Sequence, residues 1–299
     1  MMAPFDGMSW ADSARRLESL GYSTLFVPDH FHEGFGPITA LATAAAATTT
    51  LRVAPLVFNT DLRHPAVLAR ELASIDVLSM GRLEVGLGAG YNPLDYQRSG
   101  IAMDPPGVRV DRLIEHATVL RALWSEAPTT FEGVHYRIDD LDGTPKPFTA
   151  GGPPLLIAGG GKRMLRFAAQ HADIVGVNVA LASAPDEASA RDALPTNIDE
   201  KFRRIRIDAG ERYRDLEFNA WLSVCCVTND VSSLGERLSA KFGAAAEEVL
   251  ASPLILAGTI DEMVEGLEAR RARWGYSYFT VQQHAIDDFA PVVATLTGS

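Results

Sequence analysis

The strongest limit on how this chain can fold is a rhythm that runs its whole length. Short runs that are apolar on both faces alternate with longer segments that are apolar on one side only. The short runs are Thr24–Val27, Leu51–Phe58, "RLEVGLGAG", "PLLIAGGG", "DIVGVNV", "LEFNAWLSVCCVT" and "YSYFTVQQH". A strand buried on both faces needs helices above and below it, and a helix between successive strands makes those strands parallel. The intervening segments read as those helices. Ser9 can cap one, with Asp12 three residues on, an apolar side of Trp10, Ala14 and Leu17, and Gly21 where it stops. A second covers about Pro37 to Thr48. Pro65 suits a first turn; Leu68, Leu72, Ile75 and Leu78 then recur at helical spacing, and Gly81 ends that helix. Val110, Leu113, Ala117, Leu120 and Trp124 mark a long amphipathic helix, and another lies around Asp199–Ala209. Thr259 and Glu262 form a capping box for the last main helix.

An alternating α/β chain can close into a barrel or stay open. "GYSTLFVPDH" and "GYSYFTVQQH" begin alike and place His30 and His284 at the same distance from a glycine. Two ordinary helix-to-strand turns would give this echo, and so would a closed (β/α)8 barrel whose strands are built alike. Ahead of the first helix only Ala3–Phe5 could be a strand, so the first barrel strand is expected to be shortened or missing. The chain of 299 residues, 47% hydrophobic, is read as a single domain, 1–299, with a polar, irregular surface excursion near 182–197.

Charge and cysteine usage remove several classes. A formal net charge of −11 argues against nucleic acid as partner, since phosphate binding needs a basic face. Cys225 and Cys226 are adjacent, so in a strand they point to opposite faces and do not pair; nor do they have the spacing of a metal site. They read as two buried strand residues in a reducing compartment. The apolar stretch Ile38–Phe58 is broken by a threonine run and Arg52, which argues against a membrane span. With no basic-then-apolar leader, a soluble cytoplasmic protein is expected.

In a parallel α/β barrel the active site lies at the C-terminal ends of the strands. Asp29 and His30 stand at such an end, as do Asn59 and Asp61, the Gly88–Ala89–Gly90–Tyr91 turn, the Gly159–Gly160–Gly161 turn, Asn178 and His284. Polar residues that end buried strands can floor a pocket, although every strand must end in something polar. "GLGAG" lacks the third glycine and the following acid of a dinucleotide fingerprint. "AGGGKRML", Ala158 onward, runs three glycines into a helix with Lys162 beside them, which suits either a phosphate cradle or a flexible turn. His64, His116, His135 and His171 read as isolated surface or core residues. Neither a Ser-His-Asp order nor a metal-ligand spacing is evident, so no metal site is expected.

"FVPDHF", "RHPAVLARELASIDVLSMGRLEVGLGAGYN", "PPGVRVDRLIEHATVLRALW", "PLLIAGGGKRML" and "DAGERYRDLEFN" together resemble the bacterial-luciferase-like superfamily. Within it the chain is most similar to the actinobacterial deazaflavin (coenzyme F420) oxidoreductases. The resemblance implies a (β/α)8 TIM barrel, a homodimer, and hydride transfer between reduced deazaflavin and an organic small molecule. It places an active-site histidine at His30 with Asp29 beside it, and a cis non-proline peptide at Leu56–Val57 beneath the cofactor ring. The "GAGYN" turn, Gly88 to Tyr91, lines the ring pocket with Asn59, and Ala158–Lys162 receives the phosphate with Asn178. Some relatives carry a glutamate as proton donor where this chain has Tyr91, so that mechanism does not transfer. Two alternatives stay open: a monooxygenase using O2 and reduced FMN from a separate flavin reductase, and a barrel that binds flavin without turnover.

Overall fold

Ser9 starts the first helix as expected. Its Oγ accepts the Asp12 N–H at 3.1 Å, and Gly21 leaves the helix at φ 85°. A computed structural model describes residues 1–31, 34–180 and 187–297. They form two compact units, Met1–Leu156 and Ile157–Ser299.

The first unit runs α1 (Trp10–Ser19), β1 (Thr24–Val27), α2 (Pro37–Ala47), β2 (Arg52–Pro55), β3 (Phe58–Asn59), α3 (Pro65–Ser79), β4 (Val85–Gly88), α4 (Pro93–Ser99), α5 (Pro106–Leu123), β5 (Thr129–Glu132) and β6 (Arg137–Leu141). β1 and β2 pair in parallel, with Thr24 opposite Arg52 and Val27 opposite Pro55. β3 and β4 also pair in parallel, while β5 and β6 make an antiparallel hairpin. Residues 1–9 contain no strand, in line with the shortened or missing first strand. The Phe5 N–H instead donates to Ser13 Oγ at 3.0 Å, and the Arg16 guanidinium lies 4.4 Å over the Phe5 ring. The expected strand Leu51–Phe58 is interrupted: β2 ends at Pro55, β3 begins at Phe58, and the Leu56–Val57 peptide between them is cis. Leu25, Phe26, Val53, Phe58, Leu72, Leu87, Leu113 and Leu120 are buried, so the strands are covered by α2, α3 and α5.

β7 (Leu155–Gly159) begins in the first unit and ends in the second. The second unit continues with α6 (Lys162–His171), β8 (Ile174–Val177), α7 (Glu187–Asp192), α8 (Pro195–Ala209), β9 (Glu217–Trp221), β10 (Val224–Val227), α9 (Val231–Phe242), α10 (Ala246–Leu250), β11 (Ile255–Gly258), α11 (Ile260–Trp274), β12 (Tyr276–Thr280) and α12 (Ile286–Leu296). β9 lies between β8 and β12, parallel to both. The run "LEFNAWLSVCCVT", expected as one strand, is two. Leu222 N–H still bonds to Thr280 O at 2.9 Å, but Ser223 N–H turns to Leu254 O at 2.8 Å. The chain thus changes partner from β12 to β11 between two adjacent residues. The capping box at Thr259 and Glu262 forms as expected.

Two expectations are corrected here. The polar stretch 182–197 is not irregular where it is described, because Glu187–Asp192 is helical, α8 starts at Pro195, and Ser189, Ala193 and Leu194 are buried. Small residues spaced among charges hid the buried side of that helix; residues 181–186 lie outside the described residues. Cys225 is buried but Cys226 is exposed, since neighbours in a strand face opposite ways. No helix among the described residues is long and apolar enough to cross a membrane.

Candidate active site

β1 is apolar through Val27 and ends in Pro28, Asp29 and His30, and the two side chains go to different partners. Asp29 is buried and accepts three hydrogen bonds. The Arg63 guanidinium donates to both its oxygens, at 2.6 and 3.0 Å, and the Asn59 N–H donates to Oδ2 at 3.0 Å. Arg63 also lies 5.2 Å over the Phe58 ring. A forked, charge-assisted pair of this kind latches the end of β1 to the end of β3.

His30 Nδ1 lies 2.6 Å from Asp95 Oδ2. Asp95 stands in the first turn of α4, where Asn92 caps the helix and Pro93 takes the first helical position. Its Oδ1 accepts the Phe31 N–H at 3.1 Å, and the Asn92 side-chain amide donates to Oδ2 at 3.1 Å. Burial alone would push the Asp95 carboxyl up. The hydrogen bonds from His30 and Phe31, with the His30 charge, outweigh it and hold the group below the usual carboxylate range. Tyr91 packs edge-on against His30, with ring centres 5.7 Å apart. Partial desolvation, and then the Asp95 charge, push the Tyr91 phenol up. Phe31, Tyr91 and Leu94 are exposed and give this end of the unit an apolar rim.

Beneath this pair lies a second polar group of residues. Tyr96 is buried; its hydroxyl donates to Asp61 Oδ2 at 2.8 Å and accepts from Asn59 Nδ2 at 3.0 Å. Burial pushes that phenol up to about 12, with Asp61 adding to the shift and Asn59 opposing it. Arg112 bridges Asp61, at 2.7 Å, and Asp104. Arg109, also buried, donates to the carbonyls of Ala89 and Gly90 and so fixes the glycine turn. Gly90 has φ 68°, and a Cβ there would lie 2.0 Å from the Tyr96 hydroxyl. A Cβ on Gly88 would lie 2.4 Å from Val57 Cγ2. In the first unit hydrogen bonds thus join Asp29, Asn59 and Asp61 with Arg63 and Tyr96, while His30 and Tyr91 form a separate group with Asp95. Arg109 holds the Ala89–Gly90 turn, and Val57, with Leu56 before it in the chain, lies against Gly88.

In the second unit the Ala158–Gly161 turn ends β7 and leads into α6. Asn178 N–H bonds to Gly159 O at 3.1 Å, and a Cβ on Gly160 would lie 2.2 Å from Ala180 N. Gly161 is the N-cap of α6, without a side-chain cap, and a Cβ there would meet nothing within 4 Å. Lys162 opens the helix. Lys201, buried beside this turn, donates to Asn178 O at 2.7 Å and pairs with Asp192 at 2.6 Å; burial lowers its pKa. His284 lies exposed in a single turn after β12.

Sequence reasoning did not find Arg63, Asp95, Tyr96, Arg109 or Arg112. The start of α4 went unread, although Asn92-Pro93 followed by an acid could have signalled it; the partner of that acid could not have been read. It also took His64 and His116 as isolated, and they are not. Both pack edge-on against Tyr136, at 5.4 and 5.7 Å, and His116 Nδ1 lies 3.3 Å from the Tyr136 hydroxyl. A cavity of about 240 Å³ in the first unit, lined by Ala69, Arg70, Leu123, Trp124 and Pro145, includes none of the expected site residues. Among the described residues no cluster of histidine, cysteine or acidic side chains could hold a metal ion.

Residues 8–242 match the family model for luciferase-like monooxygenases. The chain belongs to that family. It is 32% identical over 172 residues to an F420-dependent glucose-6-phosphate dehydrogenase of Intrasporangium calvum, covering 54% of this chain and 51% of that one. It is 34% identical over 194 residues to the pyrimidine monooxygenase RutA of an Enterobacter species, covering 62% and 51%. The chain thus spans about half the length of these two relatives. An F420-dependent secondary alcohol dehydrogenase, solved with an F420-acetone adduct, is similar in structure with a TM-score of 0.74 and 20% identity, covering 98% of this chain and 97% of that one. The fold of this family member is the luciferase-like α/β barrel. The two sequence relatives are named as a dehydrogenase and a monooxygenase.

Proposed function

We propose that this protein is a coenzyme F420-dependent oxidoreductase that transfers a hydride between the deazaflavin and a small organic substrate. The observation that carries the reading is the pair of a buried carboxylate, Asp95, and a half-buried imidazole, His30, at the end of β1 beside Tyr91 and the glycine turn. Relatives that use F420 support it. When bound, the deazaflavin supplies a two-electron acceptor or donor at its C5. His30 takes the proton of a substrate hydroxyl as that carbon becomes a carbonyl, or returns it in the reverse direction. Asp29 holds the end of β1 in place through Arg63 and Asn59. Leu56, Val57, Asn59 and Gly88–Tyr91 are assigned to the ring, where Gly88 and Gly90 leave no room for a side chain.

The phosphate end is assigned to Ala158–Lys162 and Asn178. The residues fit an anion there: α6 has no side-chain cap, the space above Gly161 is open, and Lys162 is at hand. Structural likeness along 98% of the chain supports one luciferase-like domain over 1–299, with cytoplasmic location and a homodimer completing the proposal. A second reading rests on the monooxygenase relative: reduced FMN from a separate reductase, with O2 as co-substrate. Titration with F420 and with FMN, followed by tryptophan fluorescence, separates the two. Tighter F420 binding is expected; FMN binding without F420 binding would replace the first reading by the second. A single protein mass at all concentrations in light scattering, equal to one chain, would refute the homodimer.

A further inference from the structure

We propose that Asp95 is the positioning residue of His30: it selects the ring tautomer and holds the imidazole from α4. The proposal deepens the oxidoreductase reading and rests on it for the catalytic consequence alone.

The geometry is specific. Among the described residues the Asp95 carboxylate receives His30 Nδ1 at 2.6 Å, the Phe31 N–H at 3.1 Å and the Asn92 amide at 3.1 Å. One oxygen therefore holds the ring and the other holds the backbone of the next residue. Rotation of the side chain and drift of the chain that carries it are both resisted from one point. An ionised carboxylate only accepts hydrogen bonds. In the neutral imidazole the proton facing it must sit on Nδ1, which leaves the Nε2 lone pair as the base. A histidine that takes a proton from a substrate hydroxyl needs that tautomer in a fixed direction.

Asp29, next to His30 in sequence, is the acid that a sequence reading would assign to this task. Its oxygens are engaged by Arg63 and the Asn59 N–H instead. The two neighbours are thus divided between separate duties. Asp29 joins β1 to β3, and Asp95 governs the imidazole from 65 residues away. Tyr91 packs edge-on against the same ring, with centres 5.7 Å apart.

A purely structural role is the competing account, because an acid in the first turn also stabilises a helix. Nitrogen-15 NMR of the cofactor-free protein separates the two accounts. The chain has 7 histidines, and the His30 signals are those lost in His30→Gln. The wild type is expected to show His30 protonated on Nδ1 at neutral pH. In Asp95→Ala the population should move toward the Nε2–H form. Asn92→Ala, which removes the helix cap but leaves the carboxylate, should lower stability without changing the tautomer. If Asp95→Ala does not fold, Asp95→Asn serves, since an amide presents one acceptor oxygen and one donor nitrogen and should mix the tautomers. A wild-type His30 on Nε2–H, or Asp95 variants that keep the wild-type tautomer, overturns the proposal.

The catalytic consequence is read with F420 and two probe substrates, 2-propanol and glucose 6-phosphate. With whichever probe turns over, Asp95→Asn should lower kcat on the order of 10- to 100-fold with KM changed far less. Equal loss in KM would mean that Asp95 shapes binding, and overturns the positioning role. Absence of F420 binding in the wild type would instead remove the oxidoreductase reading, and the NMR result would still decide what Asp95 does to His30.

Discussion

His116 should set a measurable part of this protein's acid sensitivity. The ring is buried, its Nδ1 lies 3.3 Å from the Tyr136 hydroxyl, and Nε2 has no hydrogen-bond partner among the described residues. Burial, and next the nearby His64, hold the imidazole pKa down to about 3 from an ordinary 6.5. The folded form therefore stays neutral at a pH where the unfolded chain binds a proton. Stability linked to this group is complete above pH 6.5 and is lost as pH falls toward 3. The loss approaches about 1.4 kcal/mol per pH unit, so from pH 7 to pH 5 it sums to about 2 kcal/mol. His116→Phe keeps a ring of similar volume and removes the titration. At pH 7 the variant gives up one hydrogen bond, worth about 1 kcal/mol, and no longer buries an unsatisfied nitrogen, a gain of similar size. Its stability there should match the wild type within about 1 kcal/mol. Urea unfolding at pH 7 and pH 5 should then show the wild type losing about 2 kcal/mol more than the variant. The two proteins differ at this one side chain, so the difference in their pH response is read against a common background. Parallel losses in the two proteins would mean that the site hydrates or opens enough to titrate normally, and would refute the reasoning.

Four more outcomes follow from the same geometry. His30→Gln should lower turnover on the order of 100- to 10,000-fold while cofactor affinity, read by fluorescence titration, stays close to wild type; near-normal turnover in a folded, cofactor-bound variant would exclude His30 from the chemistry. Arg63→Met leaves the buried Asp29 carboxylate without its forked partner and should cost about 3 kcal/mol in chemical denaturation, with a double-mutant cycle against Asp29→Asn recovering most of it. Gly90→Ala adds a Cβ 2.0 Å from the Tyr96 hydroxyl at a backbone φ of 68°, so it should destabilise the fold by about 3 kcal/mol or more; an unchanged melting curve would contradict the close approach. Lys162→Ala should weaken the F420 Kd by about tenfold at low salt and less at high salt, as expected for a charge that meets a phosphate, and a salt-independent loss would argue against that contact.

What the sequence determined by itself was local or periodic. The two-faced apolar runs were enough for parallel strands under helices, because burial on both faces has few other solutions. Ser9, Pro65 and the Thr259–Glu262 pair marked helix starts, since a cap satisfies backbone groups within three residues of itself. Asp29, His30, Asn59 and the Gly88–Tyr91 turn could be picked out as strand ends, and the family pattern pointed to Leu56–Val57. Tertiary structure alone decided which polar side chains meet. Asp95 finds His30 across 65 positions, Arg63 finds Asp29 across 34, and His64 and His116 meet on Tyr136, none at a spacing that a periodicity can report. The break after Leu222 was equally silent, because neither glycine nor proline separates β9 from β10 and the change of partner leaves no mark in the run. A carboxylate–imidazole contact depends on distances of a few ångströms between elements whose packing is set by the whole core. Residue order constrains that packing only through the sum of many weak apolar contacts, and so the acid that orients the histidine cannot be read from the residues that flank it.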